Sequence, residues 1–342
     1  MLKTIIRTGL TAAAFALAAS FAQAQEFNFK LHQFLPAQSA IPGNFLKPWA
    51  EKVEKESGGR IKIELFPSMQ LGGKPPSLID QVTDGVVDFV WTLPGYTPGR
   101  FPKAEVFELP FIAASAEASS QAFQAYAEKH MKEDFPGLKV IAVHTHGPGL
   151  IHSKTPVAKL EDLKGMKLRG PTRMVTNLLS KLGAEPIGMP VPQVPESLSR
   201  GVIDGAVIPW EVSVPLKITD LVKNHTQMGG SNGLYVATFL FAMNKASYDK
   251  LPDDLKKVID DNSGLGAAKW AGQVMDKADL EGRQIAVDKK NNIVTLDEAE
   301  TARWKEAAQP VYADWIAEMD KAGLDGKALV DEAKALIEQY SK

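Results

Sequence analysis

Gly201-Val202-Ile203-Asp204-Gly205-Ala206-Val207-Ile208 decides the fold. The stretch leaves a short helical pattern, turns at Gly201 and becomes an apolar run that stops at Pro209. A continuous apolar run between turn signals reads as a strand buried on both faces, in a sheet covered by helices. Gly85-Val86-Val87-Asp88-Phe89-Val90-Trp91 has the same form earlier in the chain, again after a short helix and before a proline. The two copies predict two similar halves.

Around the earlier copy, Phe27-Asn28-Phe29-Lys30-Leu31 and Arg60-Ile61-Lys62-Ile63-Glu64-Leu65-Phe66 alternate with period two and read as strands. Phe45, Leu46, Trp49 and Val53 mark a helix over 42–56, closed by Ser57-Gly58-Gly59, and 78–83 reads as a second helix. Around the later copy come the strand Met166-Lys167-Leu168-Arg169, a helix over 175–182 closed by Gly183, and a proline-rich turn at Pro186, Pro190, Pro192 and Pro195. Strands alternating with helices predict an α/β fold with largely parallel sheets. From Pro252 to Asn291 no further proline occurs, and Leu255, Ile259, Leu265, Trp270, Val274, Ala278 and Ile285 keep helical spacing. Forty helical residues would extend about 60 Å, enough to bridge both halves, with Gly264, Gly266, Gly272 and Gly282 as places for a bend or break. Residues 296–342 read as further helix.

The chain has 342 residues, 44% hydrophobic and 23% charged, without cysteine. Disulfide frameworks, thiolate catalysis and Cys-ligated metals are therefore excluded. Lys and Arg number 39 against 41 Asp and Glu, so nucleic acid is not expected as a partner. At the N-terminus, Lys3 and Arg7 precede an uncharged apolar run to Phe21, and Ala22-Gln23-Ala24 forms a small-x-small site. This pattern predicts a secretory signal peptide over 1–24, cleaved after Ala24, and a periplasmic mature chain. No later stretch reaches the ~18 apolar residues of a bilayer span.

No nucleophile elbow, phosphate loop or dinucleotide fingerprint is present, no carboxylate pair stands out, and neither a cofactor nor an enzymatic activity is expected. His144-Thr145-His146 puts two imidazoles on one strand face, without the third ligand that a metal site needs. Arg169 is different. It ends an apolar strand before the Gly170-Pro171 turn, and the carboxyl ends of strands are where α/β sheets bind ligands. Its planar fork suits a carboxylate. Arg173, on the following helix, is expected in solvent. Phe34, Trp91, Tyr96 and Trp210 follow strands in comparable positions and predict a cleft walled by rings. His146, Ile208 and Asn232 complete the candidate ligand-binding set.

Leu160-Glu161-Asp162-Leu163-Lys164-Gly165-Met166-Lys167-Leu168-Arg169, Leu182-Gly183-Ala184-Glu185-Pro186, Met189-Pro190 and Gly201 to Gly205 together resemble the solute receptors of tripartite ATP-independent periplasmic (TRAP) transporters, of the dicarboxylate-receptor (DctP) type. Leu71-Gly72-Gly73, Leu109-Pro110-Phe111 and Met243-Asn244 with Leu251-Pro252 add to the likeness, which covers nearly the whole mature chain. The resemblance implies a periplasmic binding protein-like fold, with two α/β domains joined by a hinge and a long helix across both. On this basis the domains are 25–146 plus 235–274, and 147–234 plus 275–342. It further implies that Arg169 pairs with a substrate carboxylate, and that the partner is a TRAP permease with small and large membrane subunits.

The departures narrow the ligand. Where such receptors often read Gln-Glu-Asn before the proline, this chain has Ala206-Val207-Ile208, and Gly147-Pro148-Gly149-Leu150 occupies the region where some carry a second arginine. Few polar partners beside one arginine imply a monocarboxylate with an apolar tail, with a benzoate-type acid favoured. A dicarboxylate, an α-keto acid, and a receptor that feeds a membrane sensor kinase stand as alternatives.

Overall fold

The computed structural model describes residues 26–113, 115–230 and 232–342, so the expected signal peptide lies outside the described residues. The chain builds two sheets. The first contains β1 (Phe27–Gln33), β2 (Ile61–Phe66), β3 (Phe89–Thr92), β4 (Leu138–Thr145) and β10 (Thr238–Asn244), in the order β2-β1-β3-β10-β4. The second contains β5 (Leu150–Ser153), β6 (Lys167–Gly170), β7 (Glu185–Gly188), β8 (Gly205–Ile208), β9 (Asn224–Gln227) and β11 (Asn292–Thr295), in the order β11-β9-β5-β8-β6-β7. The helices are α1 (Lys47–Glu56), α2 (Leu78–Thr83), α3 (Ala116–His130), α4 (Arg173–Lys181), α5 (Val194–Ser199), α6 (Trp210–Ser213), α7 (Ile218–Leu221), α8 (Lys245–Asp249), α9 (Asp253–Asp261), α10 (Leu265–Asp288), α11 (Glu298–Lys321) and α12 (Gly326–Tyr340).

The repeat seen in the sequence is a repeat in space. Read from one edge, β2-β1-β3-β10-β4 and β7-β6-β8-β5-β9 are the same arrangement. Gly85 and Gly201 take left-handed φ values of 73° and 72° and close the helices before β3 and β8. Each following valine is exposed, while Val87 and Ile203 are buried. Asp88 then accepts the Lys30 N–H at 2.9 Å, and Asp204 accepts the Lys167 N–H at 3.0 Å. In both halves one aspartate thus ties the start of the third parallel strand to the strand beside it.

The sheets are mixed, not largely parallel. β10 runs antiparallel to β3 and β4, and β5 runs antiparallel to β8 and β9. The cause is the crossing of the chain between sheets: β5 follows directly on β4 from the first sheet, and β10 arrives from β9 in the second. The two crossing segments lie side by side, with the Gly149 N–H donating to Tyr235 (2.9 Å) and the Leu234 N–H to Gly149 (3.2 Å).

The helical run over 252–291 breaks at the first of its four glycines. Gly264, with φ of 73°, separates α9 from α10. At 24 residues α10 still extends about 36 Å, and it packs on α3 and β4 on one side and on α6 on the other. Two of its aspartates cap helices from the two halves. Asp276 accepts the N–H groups of Ala116 (2.7 Å) and Glu117 (2.9 Å), and Asp279 accepts that of Glu211 (2.7 Å). At the C-terminus, α11 lies on α4, whereas α12 packs on α3 beside the first sheet.

Candidate functional site

β6 is an inner strand, flanked by β7 and β8 and buried on both faces from Leu168 to Gly170. Arg169 is 2% exposed. Its Nε donates to the Met189 carbonyl just beyond β7 (2.9 Å), and its Nη1 to the Val207 carbonyl of β8 (3.2 Å). The two flanking strands therefore hold the guanidinium plane in place. Its Nη2 is buried and has no hydrogen-bond partner.

That guanidinium stands in the wall of a cavity of about 30 Å³. Phe34, Trp91, Tyr96, His146, Arg169 and Ile208 of the candidate set all line it. Phe34 stacks on Trp91 with centroids 5.0 Å apart and Trp91 on Phe239 at 4.8 Å, while Tyr96 meets Phe34 edge-on at 5.6 Å. The Trp91 indole N–H donates to His144 Nε2 at 2.8 Å, which fixes the ring. Tyr96 Oη accepts the Val191 N–H (3.0 Å); burial pushes its phenol up, against the pull of Arg169.

The histidines are structural. His146 pairs its Nδ1 with the Gly147 carbonyl (2.6 Å) and accepts the Ala237 N–H at Nε2 (3.0 Å), so the ring spans both crossing segments. Burial pushes it down to about 4 and His144 down to about 3, so both are neutral.

Trp210 and Asn232 are placed elsewhere. They line a separate groove with Pro148, Leu150 and Leu280. α6 starts at Trp210, and its first turn carries this indole away from the cavity, edge-on to His152 at 5.1 Å and beside His225 at 5.0 Å. Asn232 Nδ2 donates to the Phe111 carbonyl at 2.8 Å. Glu211, one residue after Trp210, lines the cavity instead, with Val212.

Tyr235, Ala237 and Phe239 also line it, and sequence reasoning missed them. Their period-two spacing was the available signal, but it does not reveal that this strand returns from the second sheet to the cavity. Arg173, expected in solvent, is a bridge between halves. It pairs with Glu105 of the first half (Nε to Oε1, 2.5 Å) and with Glu318 of α11 (2.7 and 2.9 Å). Burial pushes Glu105 up to about 7, against the pull of Arg173.

Asp279, on α10, carries a pH prediction. Burial pushes its carboxyl up to about 8 from an ordinary 3.8. Between those values the folded chain keeps a proton that the unfolded chain releases. The contribution is complete below the unfolded value and is lost as pH rises through the folded one, at about 1.4 kcal/mol per pH unit. Asp279→Asn keeps an oxygen for the Glu211 N–H and removes this dependence. In urea melts the variant should gain about 2–3 kcal/mol on wild type between pH 5 and pH 7; curves that stay parallel would show that Asp279 is ionised in the fold.

Comparison with known proteins gives a consistent picture. The family model for bacterial extracellular solute-binding protein, family 7 (DctP), matches residues 32–318. A TRAP solute-binding protein from a marine metagenome, specific for aromatic acid ligands and crystallised with 3-hydroxybenzoate, is 51% identical over 93% of this chain and 100% of its own, with a TM-score of 0.91. A TRAP solute-binding protein from Rhodoferax ferrireducens T118, solved with copurified benzoate, is 47% identical over 92% of this chain and 98% of its own, with a TM-score of 0.90. The C4-dicarboxylate-binding periplasmic protein DctP of Rhodobacter capsulatus is 27% identical over 83% of this chain and 84% of its own.

Proposed function

We propose, for a chain that belongs to bacterial extracellular solute-binding protein family 7 (DctP) and is a periplasmic solute receptor of a TRAP transporter, that its cleft takes an aromatic monocarboxylate. The observation that carries this reading is Arg169 Nη2, buried and unpaired in a ring-walled cavity. A buried charge without a counter-ion costs several kcal/mol, and a ligand carboxylate supplies one through charge-assisted hydrogen bonds. The rings of Phe34, Trp91, Tyr235 and Phe239 offer flat apolar surface for the rest of the molecule. A dicarboxylate would need a second cation, and no other lysine or arginine lines the described cavity. The two solved relatives near half identity hold benzoate and 3-hydroxybenzoate, which agrees with this choice.

The acid enters between lobes that bend on the paired crossing segments. The hinge-bending frame is 25–146 with 235–274 against 147–234 with 275–342. Arg169 takes the carboxylate from the second lobe, and Phe34 and Trp91 close on the ring from the first. Closure excludes water and strengthens the ion pair. The Arg173 bridge to Glu105 forms on the same closure. The loaded receptor, exported by a signal peptide cleaved after Ala24, delivers its acid to the small and large subunits of a membrane permease.

The test is a calorimetric and thermal-shift panel on the purified mature protein. Benzoate or a hydroxybenzoate should bind in the micromolar range, about −8 kcal/mol, and raise the melting temperature. Succinate and pyruvate should do neither. Succinate bound more tightly than every benzoate would overturn the reading.

A further inference from the structure

Glu211 is the cavity's other chemically active side chain, and carboxylate pairing leaves it without a task. It lies one residue into α6, where Asp279 Oδ1 accepts its backbone N–H at 2.7 Å and fixes the start of the helix against α10. The residue is 5% exposed, and its carboxyl Oε2 is buried with no hydrogen-bond partner. It does not neutralise Arg169. The Arg169 charge acts on Tyr96, His146 and Tyr235, and the Glu211 carboxyl acts on Tyr235 and is itself influenced by Asp279. Tyr235 lines the cavity with both, and its hydroxyl is already spent on the Val207 carbonyl (3.0 Å). Around Glu211 the cavity lining is apolar: Ile208, Pro209 and Val212 are its chain neighbours there.

A carboxyl in such a place costs free energy unless something bonds to it. With Arg169 holding the ligand's acid group, Glu211 is left for another part of the ligand. We infer that Glu211 is a specificity residue that hydrogen-bonds a ring hydroxyl of the bound aromatic acid. The inference rests on the aromatic-acid reading above. Burial, with Asp279 nearby, holds the Glu211 carboxyl well above the ordinary carboxylate range, which favours its protonated form. A site built to bond a hydroxyl discriminates strongly against the analogue that lacks it, because its own polar group is then left unpaired.

Calorimetry with benzoate and with 2-, 3- and 4-hydroxybenzoate tests this on wild type, Glu211→Gln, Glu211→Met and Glu211→Leu. Wild type should bind at least one hydroxybenzoate tenfold or more tighter than benzoate. Glu211→Gln, which still donates and accepts, should keep that preference within about threefold. The two apolar variants should bring the ratio near one, losing the hydroxybenzoates tenfold or more further than benzoate. Two apolar replacements of different shape guard against a local packing failure. A wild-type ratio near one, or a parallel loss of benzoate and hydroxybenzoates in the apolar variants, overturns the role of Glu211 and leaves the aromatic-acid reading standing. Wild type that binds none of the four acids overturns both.

Discussion

Arg169→Met should lower affinity for a benzoate-type acid by about thirtyfold to several thousandfold, the equivalent of about 2–5 kcal/mol for one partner of a buried charge pair. The size follows from the geometry. Nε and Nη1 are tied to the carbonyls of Met189 and Val207, so Nη2 has one fixed direction, and burial removes the water that would otherwise bond it. Arg169→Lys should recover little of the loss. An ammonium has no fork with which to reach two strand carbonyls and still present a donor to the cavity. The melting temperature of the unliganded protein should move far less than the affinity, because methionine fills similar volume and removes an unpaired buried charge. Affinity within threefold of wild type by calorimetry would remove Arg169 from the ligand's contacts.

The second large effect has a sign opposite to that of helix propensity. Alanine normally stabilises a helix interior over glycine by about 1 kcal/mol. On α10 the outcome should depend on position. A Cβ at Gly272 would stand 2.6 Å from the Ala116 carbonyl oxygen, and one at Gly282 would stand 2.4 Å from that of Trp210. Both obstacles are backbone and cannot swing aside. Gly272→Ala and Gly282→Ala should each destabilise by about 1–3 kcal/mol, the cost of overpacking. Gly266, on the same helix, has nothing within 4 Å of its Cβ position, and Gly266→Ala should stabilise by about 0.5–1 kcal/mol. Chemical denaturation of the three variants decides it; stabilisation by all three would mean that α10 does not pack tightly on both halves.

These sites also show where the sequence was informative. Periodicity located the strands around Arg169, and the echo of Gly85-Val86-Val87-Asp88 in Gly201 to Asp204 was a true structural repeat, since both aspartates make the same bond to a neighbouring strand. Position at a strand end was enough to single out Arg169, Phe34 and Trp91, because strand ends in this architecture face the cleft. Periodicity carries no information on strand direction, so the antiparallel β5 and β10 were not foreseen, nor were Tyr235 and Phe239, which reach the cavity only because of that crossing. Trp210 had the right position along the chain, but a helix begins there, and one turn of backbone exchanged its place with Glu211. Arg173 was legible as a helix residue; its two carboxylates come from remote segments, at Glu105 and Glu318.

The most direct test of the central claim is a crystal structure of the mature protein with 3-hydroxybenzoate. The ligand carboxylate should lie about 2.7–3.0 Å from Arg169 Nη2, as charge-assisted pairs do, with its ring between Trp91 and Phe34 on one side and Tyr235 on the other. A bound acid whose carboxylate rests on another group, with Nη2 still unpaired, would contradict it.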